Sequence, residues 1–121
     1  MASKEEKLKE PLDDIKDIKN VKGAAVVRRD GLLIVSNLPK DIDADQLAAM
    51  TASTVGSGET ASETLSIGNV KQVTVESEYG KLISTGAGDD GILTVLTDAD
   101  VNMGLVLVEM KKATKKVKRT L

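Results

Sequence analysis

Asp98, Asp100, Asn102 and Glu109 stand at the first, third, fifth and twelfth places of a potential calcium loop, the spacing from which carboxylate and amide oxygens surround that ion. The sixth place, where such a loop turns sharply and needs glycine, is Met103. Val101, Leu105, Val106, Leu107 and Val108 would also be stranded in water, so the stretch is expected to be a helix capped by Asp98 or Asp100. Gly86-Ala87-Gly88-Asp89-Asp90-Gly91 has the glycine spacing of a dinucleotide fingerprint. That chemistry needs a helix amino terminus after the glycines to receive the pyrophosphate, and here a strand pattern follows, so the segment reads as a hairpin turn. Gly56-Ser57-Gly58-Glu59-Thr60 lacks the lysine and the spacing of a phosphate-binding loop, and the chain is not expected to bind or hydrolyse nucleotide itself. Ser53, Ser57 and Ser62 have no base beside them to make a nucleophile. Arg28 and Arg29 flank the first tight turn, but neighbouring strand residues point to opposite faces, and a solvated strand end is the expected reading.

The whole composition narrows chemistry further. There is no cysteine and no histidine in the 121 residues, which removes disulfides, thiolate chemistry, the usual zinc sites and the commonest general base at neutral pH. No metal, cofactor or catalytic residue is expected, and the chain is read as a non-enzyme. A net charge of −2 leaves no overall positive field for a phosphate backbone, and Tyr79 is the only aromatic available for base stacking, so nucleic acid is not an expected partner. The dense basic run Lys111, Lys112, Lys115, Lys116, Lys118 and Arg119 is expected to be a solvated helix end matched to the helix dipole. No apolar stretch is long enough to span a bilayer and the start of the chain is polar, so membrane insertion is not expected and the protein is read as cytoplasmic.

Residues 1–121 are read as one domain, with 1–7 frayed. Leu8, Leu12, Ile15 and Ile18 fall on one helical stripe, with Pro11 at the first helical position or breaking a frayed turn. Gly23 ends that segment. Ala24 to Arg29 and Leu32 to Val35 flank Asp30-Gly31, a pair favoured where both turn residues need positive φ. Pro39 closes the second strand, and Asp41 or Asp43 can cap a helix from Ala44 to about Leu65. Strands follow at Val70 to Glu78, Lys81 to Gly86 and Ile92 to Thr97, and a last helix begins near Val101 and carries Met103, Val106, Met110, Ala113 and Val117. Val73 and Val75 alternate with polar residues as on an edge strand, whereas Ile92 to Leu96 is apolar on both faces, as in a strand covered from both sides.

The middle helix is built mostly from Ala, Ser, Thr and Gly. Ala44, Ala48, Ala52, Gly56 and Thr60 recur every fourth residue and suggest a low ridge that another backbone could approach, which would offset the cost of about 0.5–1 kcal/mol that glycine carries inside a helix.

Val21-Lys22-Gly23-Ala24-Ala25-Val26-Val27 with Asp30-Gly31-Leu32, the small-residue helix after Asp45-Gln46-Leu47, and Asn102-Met103-Gly104-Leu105 together resemble the Roadblock/dynein light chain (MglB-like) family, over a span from about Leu8 to Val117. The resemblance implies an α/β fold of the α+β sandwich kind, Roadblock/profilin-like, in the order α-β-β-α-β-β-β-α. One helix would cover one face of a five-stranded antiparallel sheet and two would cover the other. It also implies a homodimer with a continuous ten-stranded sheet, paired through Ala48, Thr51, Ala52, Val55, Gly56 and Glu59 on the helix and Val73, Thr74 and Val75 on the strand. The function it implies is that of a non-catalytic regulator or scaffold that binds a small Ras-like GTPase, in a prokaryotic or archaeal member. A passive assembly scaffold and a small-molecule sensor are the alternatives.

Overall fold

The structure is a computed structural model that describes residues 2–121. The first helix, α1 (Lys4–Lys16), begins earlier than its apolar stripe suggests, because Ser3 Oγ accepts the Glu6 N–H at 3.1 Å and caps it. Residues 4–7, expected to fray, therefore form its first turn. Pro11 lies in the helix interior and not at its start, where it forfeits one backbone bond at a cost of about 3 kcal/mol. Its ring is buried with Leu8, Leu12 and Ile15, and that packing offsets part of the loss.

β1 (Val21–Arg28) and β2 (Leu33–Asn37) form the first hairpin. Its turn departs from the expected geometry: Gly31 has φ +95°, while Asp30 keeps negative φ. The Gly31 N–H bonds to the Arg28 carbonyl at 2.9 Å, and the Arg28 N–H bonds to Leu32 at 2.8 Å. The loop is thus a three-residue one, in which only the last position needs the left-handed conformation. α2 (Ala44–Thr64) is capped by Asp43, whose Oδ1 accepts the Gln46 N–H at 3.1 Å.

β3 (Val73–Glu76), β4 (Gly80–Gly86) and β5 (Gly91–Asp98) follow as consecutive hairpins. β3 is shorter than its sequence pattern, since its ladder with β4 runs only from Val73 opposite Ser84 to Glu76 opposite Lys81. The Gly86 to Gly91 segment is the β4–β5 turn, closed by the Ala87 N–H on the Gly91 carbonyl at 2.9 Å. α3 (Met103–Thr120) is capped by Asn102, whose Oδ1 accepts the Leu105 N–H at 3.1 Å, and not by Asp98 or Asp100. Asp98 is the last residue of β5 and Asp100 lies in the turn before the helix. The segment that matched a calcium loop is strand end, turn and helix.

All five strands are antiparallel in the order β2-β1-β5-β4-β3, so β5 is central and β3 lies at one edge, as their patterns require. Alternate residues of β1 divide the core. Ala24 and Val26 join Leu93 and Val95 beneath α1 and α3, while Ala25 and Val27 join Ile92 beneath Leu47, Ala48 and Val55 of α2. This is the expected layering, with one helix on one face and two on the other.

The middle helix is fixed at its far end by one side chain. Arg29 Nη1 donates to both carboxylate oxygens of Glu59 at 2.7 and 2.8 Å, and its Nε and Nη2 donate to the Gly88 carbonyl at 3.3 and 3.1 Å. Gly86 makes this possible, because a Cβ there would stand 2.7 Å from Nη2. The guanidinium thus joins the first hairpin, α2 and the β4–β5 turn. Arg28 is likewise engaged, on Asp30 at 2.6 Å.

Asn102→Ala should lower stability by about 1 kcal/mol through loss of the cap, whereas Asp100→Ala should stay within about 0.5 kcal/mol; urea unfolding of the two variants reads the difference. Arg29→Ala should cost about 1 kcal/mol, a modest figure because both partners of its ion pair are part exposed. Its midpoint should become less sensitive to salt than that of the parent, which is checked by repeating the titration across ionic strength.

Candidate interaction surface

The residues on the sheet side of α2 are consumed by the protomer itself. Ala48, Thr51 and Val55 are buried within the protomer, on the sheet side of the helix. Glu59 is held by Arg29. The regular spacing of Ala44, Ala48, Ala52, Gly56 and Thr60 misleads for a geometric reason: four residues turn the helix about 40° past a full circle, so the row spirals around the axis. Ala48 faces the sheet, Ala52 is half-buried, and Gly56 and Thr60 face outward.

The outward face carries a different set of residues. A shallow groove of about 810 Å³ runs along it, lined by Ala52, Ser53, Gly56, Ser57, Thr60, Ala61, Thr64 and Leu65. No charged side chain lines it, although 30% of the chain is charged. A Cβ placed on Gly56 would meet nothing within 4 Å, so the protomer itself does not need glycine there. Met50 is 51% exposed nearer the start of the helix. Of these positions, Ala52 and Gly56 belong to the pairing set expected from the sequence, and Thr60 to the ridge that contains them. Met50, Ser53, Ser57, Ala61, Thr64 and Leu65 belong to neither, and the signal that could have found them is the absence of charge along one side of a projected helix.

β3 lies at the edge of the same face. Val73 and Val75 share the α2 side of the sheet, since they stand opposite Ser84 and Leu82 in a ladder where Leu82 belongs to the α2 cluster. Gly58 admits Val73, whose Cγ2 would lie 3.0 Å from a Cβ at that position. Val75 is 43% exposed. Thr74, opposite buried Ile83, points to the other face and brings only its backbone to the edge. β3 pairs with β4 alone, so one row of its backbone donors and acceptors has no strand beside it.

No arrangement for covalent or acid–base chemistry is present at this surface. The buried hydroxyls of Ser84 and Thr94 bond each other at 2.8 Å beneath α2, with no base beside them. Among the described residues no helix is long and apolar enough to cross a membrane. What the surface offers is an uncharged groove next to an unpaired strand, which is suited to another polypeptide.

Comparison with known proteins agrees with this architecture. A protein of Methanocaldococcus jannaschii, named only as uncharacterized, is 44% identical over 98 residues, covering 81% of this chain and 82% of that one. A second from the same organism is 40% identical over 105 residues, covering 87% and 91%. Among solved structures, Myxococcus xanthus MglB is similar with a TM-score of 0.86 at 25% identity, covering 93% of each chain. Acanthamoeba castellanii profilin IA shares the fold at a TM-score of 0.62 and 15% identity, covering 97% of this chain and 98% of that one. The Roadblock/LC7 domain model matches residues 7–97, and with three helices on a five-stranded antiparallel sheet in the same order, this chain belongs to the Roadblock/LC7 domain family.

Proposed function

We propose that the protein is a homodimer joined through the outer face of α2 and the edge of β3, and that this dimer binds a small Ras-like GTPase in the cytoplasm and regulates it without itself handling nucleotide. The observation that carries the reading is the uncharged outer groove of α2 lying beside the unpaired edge of β3. A two-fold contact sets β3 antiparallel to its mate and covers both edges at once, joining two five-stranded sheets into one of ten strands. Ala52, Gly56, Val73 and Val75 then act as pairing residues together with Thr60 of the same ridge, with Ser53 and Ser57 added. Ala48, Thr51 and Val55 support the helix from beneath, and Thr74 contributes its backbone. The GTPase partner is supported by membership of a family of small-GTPase-related regulators and by the likeness to MglB.

Gly56→Leu separates pairing from folding. The position is open in the protomer, and leucine is favoured over glycine in a helix by about 1 kcal/mol, so the single chain should become no less stable. If two helices meet at Gly56, the same change should weaken the dimer by about 1–3 kcal/mol through overpacking. Glu63→Gln, exposed and off the groove, is the control. Light scattering over a dilution series checks this; a wild type that is monomeric at micromolar concentration, or a Gly56→Leu protein that dimerises as well as its parent, would remove the interface.

For the partner, a small GTPase encoded beside this chain or co-purifying with it should be retained by the immobilised dimer when loaded with a non-hydrolysable GTP analogue and much less when loaded with GDP. Its hydrolysis rate should change when the dimer is added, while calorimetry of the dimer alone with GTP should show no binding. Equal retention of both nucleotide forms with an unchanged rate would leave a passive scaffold in place of a regulator.

A further inference from the structure

In the helical layer on the opposite side of the sheet, α1 carries charges of both signs but presents an acidic outward line, whereas the outward line of α3 is basic. Glu6, Glu10 and Asp13 of α1, with Asp17 at its C-cap, are exposed and follow intervals of four, three and four residues, which aligns them on one outward line. Lys7 and Lys9 project to either side of that line. On the second half of α3 the corresponding outward positions are Lys112, Lys115, Lys116 and Arg119, all exposed, with Leu105 and Val108 exposed nearer its start. Helix dipoles account for the basic end of α3 but not for Asp13 and Asp17 at the negative end of α1, where Asp13 accepts a hydrogen bond from Asn37 Nδ2 at 2.6 Å and Asp17 is exposed. The two helices run antiparallel: Lys116 Nζ lies 3.9 Å from Glu10 Oε1, and Lys4 and Glu5 share a cleft with Leu121 at the other terminus.

We propose that this layer is a second self-association surface, on which α1 of one copy lies against α3 of another. A two-fold axis between the helices and parallel to them exchanges their sides while keeping each residue at its own level. The acidic line of each copy then faces the basic line of the other, beside the level at which Glu10 and Lys116 already meet within one chain. The same face could not stack on itself with like helices opposed, because each charged line would meet its equal. The contact lies across the sheet from α2 and is independent of the pairing proposed above. Where both operate, two isologous contacts per protomer give a closed tetramer if their axes intersect at right angles, a larger closed ring at certain other angles, and a growing chain where the axes do not meet.

Light scattering and sedimentation at about 0.03 M and about 1 M salt test this, since exposed ion pairs are screened at the higher value. The high-salt mass reads the α2–β3 pairing alone, and the low-salt mass should be at least twice as large. Glu6→Lys/Glu10→Lys and Lys115→Glu/Arg119→Glu should each abolish the low-salt increase while melting within a few degrees of wild type. An equimolar mixture of the two variants should restore it, because every opposed pair of lines is again of opposite sign. A wild-type mass that does not change with salt, a single variant that still assembles, or a mixture that does not would each overturn the proposal. So would a wild type of unchanged mass that instead binds phosphatidylglycerol vesicles or duplex DNA at low salt, which would assign the basic line of α3 to a polyanion.

Discussion

The antiparallel ladder between β1 and β5 is the constraint on which the rest of the molecule depends. It runs from Val21 opposite Thr97 to Arg28 opposite Gly91 and buries both faces of both strands through most of its length. A strand buried on both sides needs cover on both sides, and that requirement fixes where every helix must go. Ala24 and Ala25 are fully buried on opposite faces, and their small size brings helices close to the sheet from either direction. With a single aromatic in the chain, the cores are filled by valine, leucine and isoleucine in thin layers.

How far the sequence was legible follows from which signals are local. Elements with strong periodicity or a turn pair, such as the first hairpin, β5 and α3, were placed within a few residues. The caps were harder, because Asp98, Asp100 and Asn102 all carry an oxygen able to close a helix, and only the backbone path decides that Asn102 does so. Pro11 misled because proline usually opens a helix, whereas here burial in a tertiary contact holds it inside one. The site residues show the same division. That α2 has an uncharged side and that β3 is an edge could be read from composition and alternation. Which small residues face outward could not be taken from a four-residue repeat that drifts around the axis. Arg29 illustrates a third kind of miss, since its partners Glu59 and Gly88 are remote in sequence and nothing local announces them.

The distribution of charge has a physical logic of its own. Charged residues are excluded from the groove of α2 yet concentrated on α1 and α3, so the two faces of one small sheet present different kinds of surface to their surroundings. A groove without charge binds in a way that salt scarcely weakens, whereas the helical layer responds to ionic strength. Arg29 marks the boundary, tying the charged hairpin end to Glu59 of α2.

The layer beneath α2 is thinner than the one beneath α1 and α3, with six buried apolar residues against fifteen. Thr51 is fully buried with no partner for its hydroxyl, as is the Thr85 hydroxyl on the opposite face, and Ser84 and Thr94 spend their hydroxyls on each other beneath α2. Each hydroxyl takes the place of a methyl group that would have contributed transfer free energy, and an unsatisfied one carries a desolvation cost of about 1–3 kcal/mol. The chain therefore has a heavily packed side and a lightly packed side. In the language of native-state exchange, α2 is the unit expected to open at lower free energy than the sandwich of α1, sheet and α3. Anything that occupies its outer groove closes that unit by mass action, so the stability of this helix becomes a gauge of whether the surface is occupied.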